Sequence, residues 1–253
     1  MTPWDELGAG VFRRRYARFD QNVGVVIGTD SACVIDSRAT HADADQLRAE
    51  LAPLTSIPVR WLVNTHMHWD HTFGNARFPE AVIVGHRMCR LRLVEDGEGM
   101  RQRLLAAPWI TEDDRPAFRE VEIVPPSLTF ETSIRIHLGD RTLDVTHLGR
   151  GHTDNDVVVT VGDVCFAGDL VEEGAPPSFS DAYPDEWVAT LDVLAPMAPA
   201  TIVPGHGDVV DPAHVRSQRE AIAAAVAHLR TGDGPAPWSR AVMDSIGARL
   251  DTP

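Results

Sequence analysis

The residue types that could carry out chemistry are concentrated in one short segment, Thr65-His66-Met67-His68-Trp69-Asp70-His71. His66 and His68 are two positions apart, so on an extended segment they share a face and can reach one metal ion together. Asp70 and His71 then point in a different direction and can serve a second ion. Imidazole and carboxylate groups are costly to bury unless they bind something. Together they suit Zn²⁺, although Fe and Mn accept the same ligands.

Three more candidate ligands occur where apolar strand-like segments end, which is where loops commonly supply functional groups. His152 lies in a Gly-Arg-Gly-His sequence, Asp169 follows Val164–Gly168, and His206 lies in a Pro-Gly-His-Gly sequence. The adjacent glycines let the backbone turn sharply and bring a short side chain close to an ion. With the first segment, these residues complete two predicted metal sites.

The elements that must position these residues alternate between apolar strand-like runs and helical segments in both halves of the chain. The predicted strands are Val23–Gly28, Ala32–Asp36, Arg60–Asn64, Val82–Val84, Val121–Val124, Ser133–Leu138, Thr142–Thr146, Val157–Val161, Val164–Ala167 and Thr201–Val203. Helices are predicted after the capping residues Thr40 and Asp211 and around Trp187. This pattern predicts an α/β fold in which two sheets pack face to face with helices outside.

Residues 1–253 are predicted to form one domain. Residues 86–120 are arginine-rich and contain Gly97, Gly99, Pro108 and Pro116, which predicts short helical pieces in an excursion from the sheet. Residues 207–253 are predicted to be a C-terminal helical segment.

Composition narrows the class of partner. The net charge of −14 repels phosphate backbones, which argues against nucleic-acid and anionic-membrane binding and leaves a small-molecule substrate as the expected partner. All 23 basic residues are arginines, so no lysine chemistry is available. The three isolated cysteines, and the absence of a long apolar stretch or an apolar N-terminal signal core, predict a cytoplasmic protein. The sequence does not indicate an oligomeric state.

The ordered motifs resemble those of the metallo-β-lactamase-fold hydrolases, whose HxHxDH motif stands here as His66–His71. The resemblance covers roughly residues 20–210. It implies an αββα four-layer sandwich of two mixed sheets with helices outside, and a metal site at one edge between the sheets. It also matches Asp36 to an aspartate at the end of an early strand, which supports the metal-binding loop.

The resemblance implies two zinc ions per chain, with Fe or Mn as possible replacements. Asp169 would bridge the ions, and Asp70 would orient a bridging hydroxide and move its proton as the hydroxide attacks the carbonyl of a small ester, thioester, lactone or amide. The implied ligands are His66, His68 and His152 for the first ion and Asp70, His71 and His206 for the second.

Two positions narrow the branch of the family. An aspartate at 169, where related zinc β-lactamases often have cysteine, favours the side of the family that contains glyoxalase II, lactonases and general ester hydrolases. Glyoxalase II itself is disfavoured, because the residues after His206 supply few basic groups for glutathione. Glu172 stands where many of those lactamases have a lysine for the substrate carboxylate, which disfavours a true β-lactamase. The main alternative is a mononuclear iron sulfur dioxygenase of the same fold that uses His66, His152 and Asp169. A metal-binding protein without turnover is the third hypothesis.

Substrate-binding residues are predicted from their place in the chain. Trp69 lies inside the metal motif and either faces the pocket or packs beneath the loop. Residues 170–185 are expected to rim the site, where Phe179 or Tyr183 could touch the substrate. The 86–120 segment is a candidate lid over the opposite wall.

Overall fold

The computed structural model describes residues 4–250, in which twelve strands and seven α-helices form two sheets with helices on both outer sides. The strands are β1 (Asp5–Gly8), β2 (Val11–Tyr16), β3 (Gln21–Ile27), β4 (Ala32–Ile35), β5 (Val59–Val63), β6 (Val82–His86), β7 (Leu128–Phe130), β8 (Ser133–His137), β9 (Thr142–Thr146), β10 (Val158–Val161), β11 (Val164–Gly168) and β12 (Thr201–Pro204). The helices are α1 (His41–Leu51), α2 (Trp69–Thr72), α3 (Arg87–Ala106), α4 (Arg115–Arg119), α5 (Pro184–Met197), α6 (Pro212–Thr231) and α7 (Arg240–Leu250).

Both sheets are mixed. The first has seven strands in chain order, antiparallel from β1 to β4 and parallel from β4 to β7. The second has the order β12-β11-β10-β9-β8 and is antiparallel except for the parallel pair β11 and β12. With helices on the outer faces, this arrangement confirms the predicted α/β class and αββα sandwich.

The main core lies between the two sheets. Val26, Ile35 and Val63 of the first sheet pack there with Val145 and Val159 of the second. A second apolar cluster lies between the first sheet and α1, and a third lies between the second sheet and helices α5, α6 and α7. Each sheet therefore has both faces covered, which explains why its central strands are continuous apolar runs.

The parallel strand pairs determine where the functional loops meet. The carboxyl ends of parallel neighbours lie at the same edge of a sheet, so the loops after β4 and β5 are adjacent, as are those after β11 and β12. An isolated bridge between Gln21 and His206 joins the two sheets at this edge. The segments that carry the predicted ligands therefore converge on one place.

Two strand predictions need correction. The N-terminal strands β1 and β2 were not expected, because the sequence of β2, Val-Phe-Arg-Arg-Arg-Tyr, is highly charged. Arg13 and Arg14 are nevertheless buried, since Arg13 pairs with Asp5 and Arg14 pairs with Glu50. The strand predicted at Val121–Val124 is wrong. This segment is a loop that covers α3 and α4, and the strand follows as β7.

The expectation of short helical pieces in 86–120 is also wrong for most of that segment. Helix α3 runs without interruption through Gly97 and Gly99. A Cβ at Gly97 would lie 3.1 Å from Cγ2 of Ile123, so this glycine permits the 120–127 loop to approach the helix closely. Gly97 therefore allows close packing of the loop against α3 and does not break the helix.

The single-domain prediction is favoured by the packing of the C-terminal helices, although it stays a prediction. Residues of α6 and α7, including Ile222 and Ile246, are buried in the same cluster as Trp187 of α5. The ends of the predicted domain, 1–3 and 251–253, lie outside the described residues. Within residues 4–250, none of the helices has both the length and the apolar character needed to span a membrane.

Candidate metal centre

The local backbone of the HxHxDH segment separates its side chains into two sets. His66 and His68 lie on the extended stretch after β5, and His68 is the residue that precedes the first turn of α2 (φ −63°, ψ 151°). Asp70 and His71 lie within that turn and therefore project differently. His152 comes from the loop between β9 and β10.

The first set of side chains surrounds Nδ1 of His68. This nitrogen lies 3.0 Å from Nε2 of His66 and 2.9 Å from Nε2 of His152. Oδ2 of Asp169, just after β11, lies 3.6 Å from Nε2 of His66 and 3.4 Å from Nε2 of His152. These four groups could hold one metal ion.

The second set contains Asp70, His71 and His206, which could hold another ion. Nε2 of His206 lies 3.3 Å from Oδ2 of Asp70 and 3.4 Å from Nε2 of His71. Asp169 also borders this set, with Oδ1 3.2 Å from Nε2 of His71 and Oδ2 3.4 Å from Nε2 of His206. Asp169 is therefore in contact with both sets, as a bridging ligand requires.

The residues fit a pair of divalent cations by spacing and by chemistry. Bonds of about 2.0–2.1 Å to a tetrahedral zinc ion separate its ligand atoms by about 3.3 Å, and the contacts around Asp169 lie between 3.2 and 3.6 Å. Oδ1 of Asp169 is fully buried and accepts no hydrogen bond, although a buried carboxylate oxygen normally has a partner. That the seven side chains are metal ligands stays a prediction, which both observations favour.

Asp36 follows strand β4, as expected from the sequence, and its carboxylate makes three polar contacts. Its carboxylate accepts hydrogen bonds from the backbone N–H of Thr65 and from Oγ1 of Thr65, each at 2.8 Å, and lies 2.7 Å from Nδ1 of His71. Its backbone is left-handed (φ 66°), a strained conformation that aspartate tolerates better than most residues. Asp36 thereby orients the ring of His71 so that Nε2 faces the second set.

Two groups that orient histidines were missed by sequence reasoning. Oδ2 of Asp181 lies 2.9 Å from Nε2 of His68, which leaves Nδ1 of His68 facing the first set. The carbonyl oxygen of Phe19 lies 2.8 Å from Nδ1 of His206. For Asp181, the sequence offers only the presence of acidic residues in the 170–185 segment, which does not say which of them reaches a histidine. The carbonyl of Phe19 belongs to the backbone and gives no sequence signal.

Burial and neighbouring charges shift the pKa values of the side chains in this site. Burial lowers the pKa of His152 to about 4 and also lowers that of His66, so both rings are neutral and able to bind a cation. Burial works against the charged form of His71 as well, but the Asp169 and Asp36 carboxylates outweigh it and raise the pKa of His71. Burial, reinforced by the charge of Asp169, raises the pKa of Glu172 to about 8.

Both sets of ligands open onto a cavity of about 980 Å³. Trp69 lines this cavity and packs edge-on against Phe19, and its contact with substrate stays a prediction. Phe179 is 2% exposed and packs on Trp187 in the core, because the 170–185 segment turns it inward. Tyr183 precedes α5 and lies under the Arg150 guanidinium. The structure does not bring Phe179 or Tyr183 to the cavity.

The two segments expected to border the site do so through other residues. In the 170–185 segment, Glu172, Ser178 and Asp181 line the cavity. In the 86–120 segment, α3 lines the cavity, and Phe118 of α4 is fully buried against this helix. The second segment is therefore a packed wall of the cavity in this structure.

Comparisons with known proteins agree with this geometry. A model of the metallo-β-lactamase superfamily matches residues 16–206. The chain is 30% identical over 67% of its length to acyl-coenzyme A thioesterase MBLAC2 of Gallus gallus, and the match spans 65% of that protein, which is less than two thirds. Its Bos taurus counterpart is 27% identical, over 79% of each chain. A metallo-β-lactamase structure from Pontibacter korlensis superposes with a TM-score of 0.70 at 20% identity, covering 87% of this chain and 98% of the other, and thus shares the fold.

Proposed function

This chain belongs to the metallo-β-lactamase superfamily of metal-dependent hydrolases, and we propose that it is a binuclear zinc enzyme that hydrolyses a small thioester. The observation that carries the proposal is the contact of Asp169 with both sets of ligands, because a bridging carboxylate is needed only where two ions lie close together. The relatives named as thioesterases favour a thioester over an ester, lactone or amide.

The site contains more ligands than a mononuclear iron site needs. Two histidines and one carboxylate suffice for a mononuclear iron oxygenase. Asp70, His71 and His206 form a complete second set beyond such a group. This surplus favours the hydrolase over the sulfur dioxygenase hypothesis.

The proposed reaction adds the oxygen of water to the carbonyl carbon, breaks the C–S bond and releases a carboxylic acid and a thiol. When bound, two divalent cations lower the pKa of a water molecule and polarise the carbonyl oxygen. Asp70 is 7% exposed, and with Oδ2 facing the second set its other carboxylate oxygen can accept the proton of the attacking water and return it to the leaving sulfur. Asp36 and Asp181 hold the rings of His71 and His68 in position.

The wall next to the first set has a carboxyl group at a place where an anionic group near the carbonyl would need a cation. Oε1 of Glu172 lies 4.0 Å from Nδ1 of His152 and lines the cavity, at the position where a lactamase lysine would hold the substrate carboxylate. We therefore expect penicillins to be poor substrates.

The first functional prediction is that the zinc-loaded protein releases thiol from an acyl thioester with kcat/KM of at least about 10⁴ M⁻¹ s⁻¹, the lower end of ordinary enzyme values. A thiol-reactive chromophore measures the product continuously. A penicillin assayed in parallel should be cleaved at least about a hundredfold more slowly. Thiol release no faster than in buffer, from protein shown to hold two zinc ions, would overturn the thioesterase proposal.

A further inference from the structure

Six apolar side chains that line the cavity pack together and are called here the apolar wall: Phe19, Met67, Trp69, Met100, Leu104 and Trp109. We propose that the apolar wall binds the acyl part of the substrate, so that the enzyme prefers thioesters of extended apolar acyl groups to acetyl thioesters. This inference rests on the proposed thioesterase function and names the substrate class for the same site.

The apolar wall begins at the metal ligands themselves. Trp69 lies in the chain between His68 and Asp70, and the carbonyl of Phe19 accepts the hydrogen bond from Nδ1 of His206. The rings of Phe19 and Trp69 meet edge to face at 4.8 Å. An acyl group whose carbonyl lies at the two sets of ligands can therefore extend directly along the wall.

Helix α3 and the segment after it supply the far part of the wall. Met100 and Leu104 are four residues apart on one helix face and are nearly buried, at 8% and 4% exposure. Trp109 follows the helix with its ring 5.8 Å from that of Trp69, yet 55% of Trp109 is exposed. An exposed tryptophan bordering a cavity offers apolar area that a bound chain would cover.

The remainder of the cavity is unsuited to an acyl chain. Arg92 is paired with Asp154 at 2.6 Å, and Arg103 is paired with Asp96 at 2.6 Å. Glu172 and Asp181 also line the cavity. Because polar groups lose hydration when an apolar chain covers them, the acyl group is directed to the apolar wall and away from these charged groups.

The test compares octanoyl and acetyl thioesters of the same thiol. Burial of each methylene stabilises the bound state by about 0.8 kcal/mol, which is about fourfold in kcat/KM. We expect the octanoyl-to-acetyl ratio of kcat/KM to exceed about ten in the wild-type enzyme. Trp109→Ala should lower this ratio about tenfold, since it removes cover from about two methylenes.

Val94→Ala is the matched control, because Val94 is an apolar residue of α3 that is 62% exposed and lies outside the cavity lining. It should leave the ratio unchanged. Binding of octanoate, measured by calorimetry, gives a readout independent of turnover: we expect a negative heat-capacity change that becomes smaller in Trp109→Ala.

The two proposals fail in different ways. Equal kcat/KM for both thioesters, with no effect of Trp109→Ala on the ratio, would overturn the acyl-binding role and leave the thioesterase intact. If neither thioester is cleaved but octanoate binds and Trp109→Ala weakens binding, the apolar wall stands and the proposed reaction does not.

Discussion

Asp70→Asn should lower kcat at least about a thousandfold while leaving the fold intact. Asparagine has nearly the same shape, but its amide can neither accept a proton from water nor contribute a negative charge to the second set of ligands. Positioned acid–base groups contribute about 10²–10⁴-fold, and loss of the ligand charge adds to this. The hydrogen bond from Gln21 to the backbone carbonyl of Asp70 is retained, so the loop keeps its anchor.

The measurement is thioester turnover by zinc-loaded Asp70→Asn, with the melting temperatures of the chelator-treated proteins recorded beside it. A shift below about 2 °C corresponds to less than about 1 kcal/mol in the free energy of unfolding and shows that the fold persists. Asp45→Asn is the matched control, because Asp45 is an exposed aspartate of α1 paired with Arg77. Wild-type turnover by Asp70→Asn would contradict the role given to Asp70.

The second large effect is expected on metal binding. Asp169→Asn should reduce bound zinc from two ions per chain to at most one and weaken the remaining site at least about a hundredfold. Among the described side chains, Asp169 is the carboxylate in contact with His66 and His152 on one side and with His71 and His206 on the other. Removing its charge leaves two cations without a shared counter-charge, which is unfavourable in a buried site.

Zinc content after dialysis and zinc competition with a chromogenic chelator test this prediction directly. Asp163→Asn makes the same chemical change in the exposed turn between β10 and β11 and should bind zinc as the wild type does. Gly205→Ala provides a second route to the same outcome, because its Cβ would lie 1.8 Å from Oδ1 of Asp169 and must displace it. Two tightly held zinc ions in Asp169→Asn would rule out the bridging role.

The candidate ligands could be predicted because their signal is local. Each of the seven lies at a strand end or in a short motif, and the order of those motifs along the chain carries the family resemblance. The groups that orient the ligands could not be predicted in the same way. Asp181 lies 113 positions from His68, and the partner of His206 is the backbone carbonyl of Phe19. Such contacts depend on the packed fold.

The same distinction between local patterns and contacts made only in the packed fold explains which strands could be predicted. Strands such as β4 and β11 are buried on both faces, so their apolar runs reveal them. Strand β2 could not be recognised from the sequence, because its buried arginines depend on Asp5 and on Glu50 of α1, which become their partners only after folding. The position of Phe179 was misjudged for a related reason: a loop sequence does not show which of its aromatic side chains turns into the core.

The most direct test of the binuclear site is elemental analysis of the wild-type protein purified without added metal or chelator, expressed as atoms per chain. We predict about two zinc ions per chain. About one iron, with zinc absent, would contradict the hydrolase proposal and favour the sulfur dioxygenase, to be followed with an oxygen electrode and persulfides. No tightly bound metal, even after zinc is supplied at micromolar concentration, would contradict the metal centre itself.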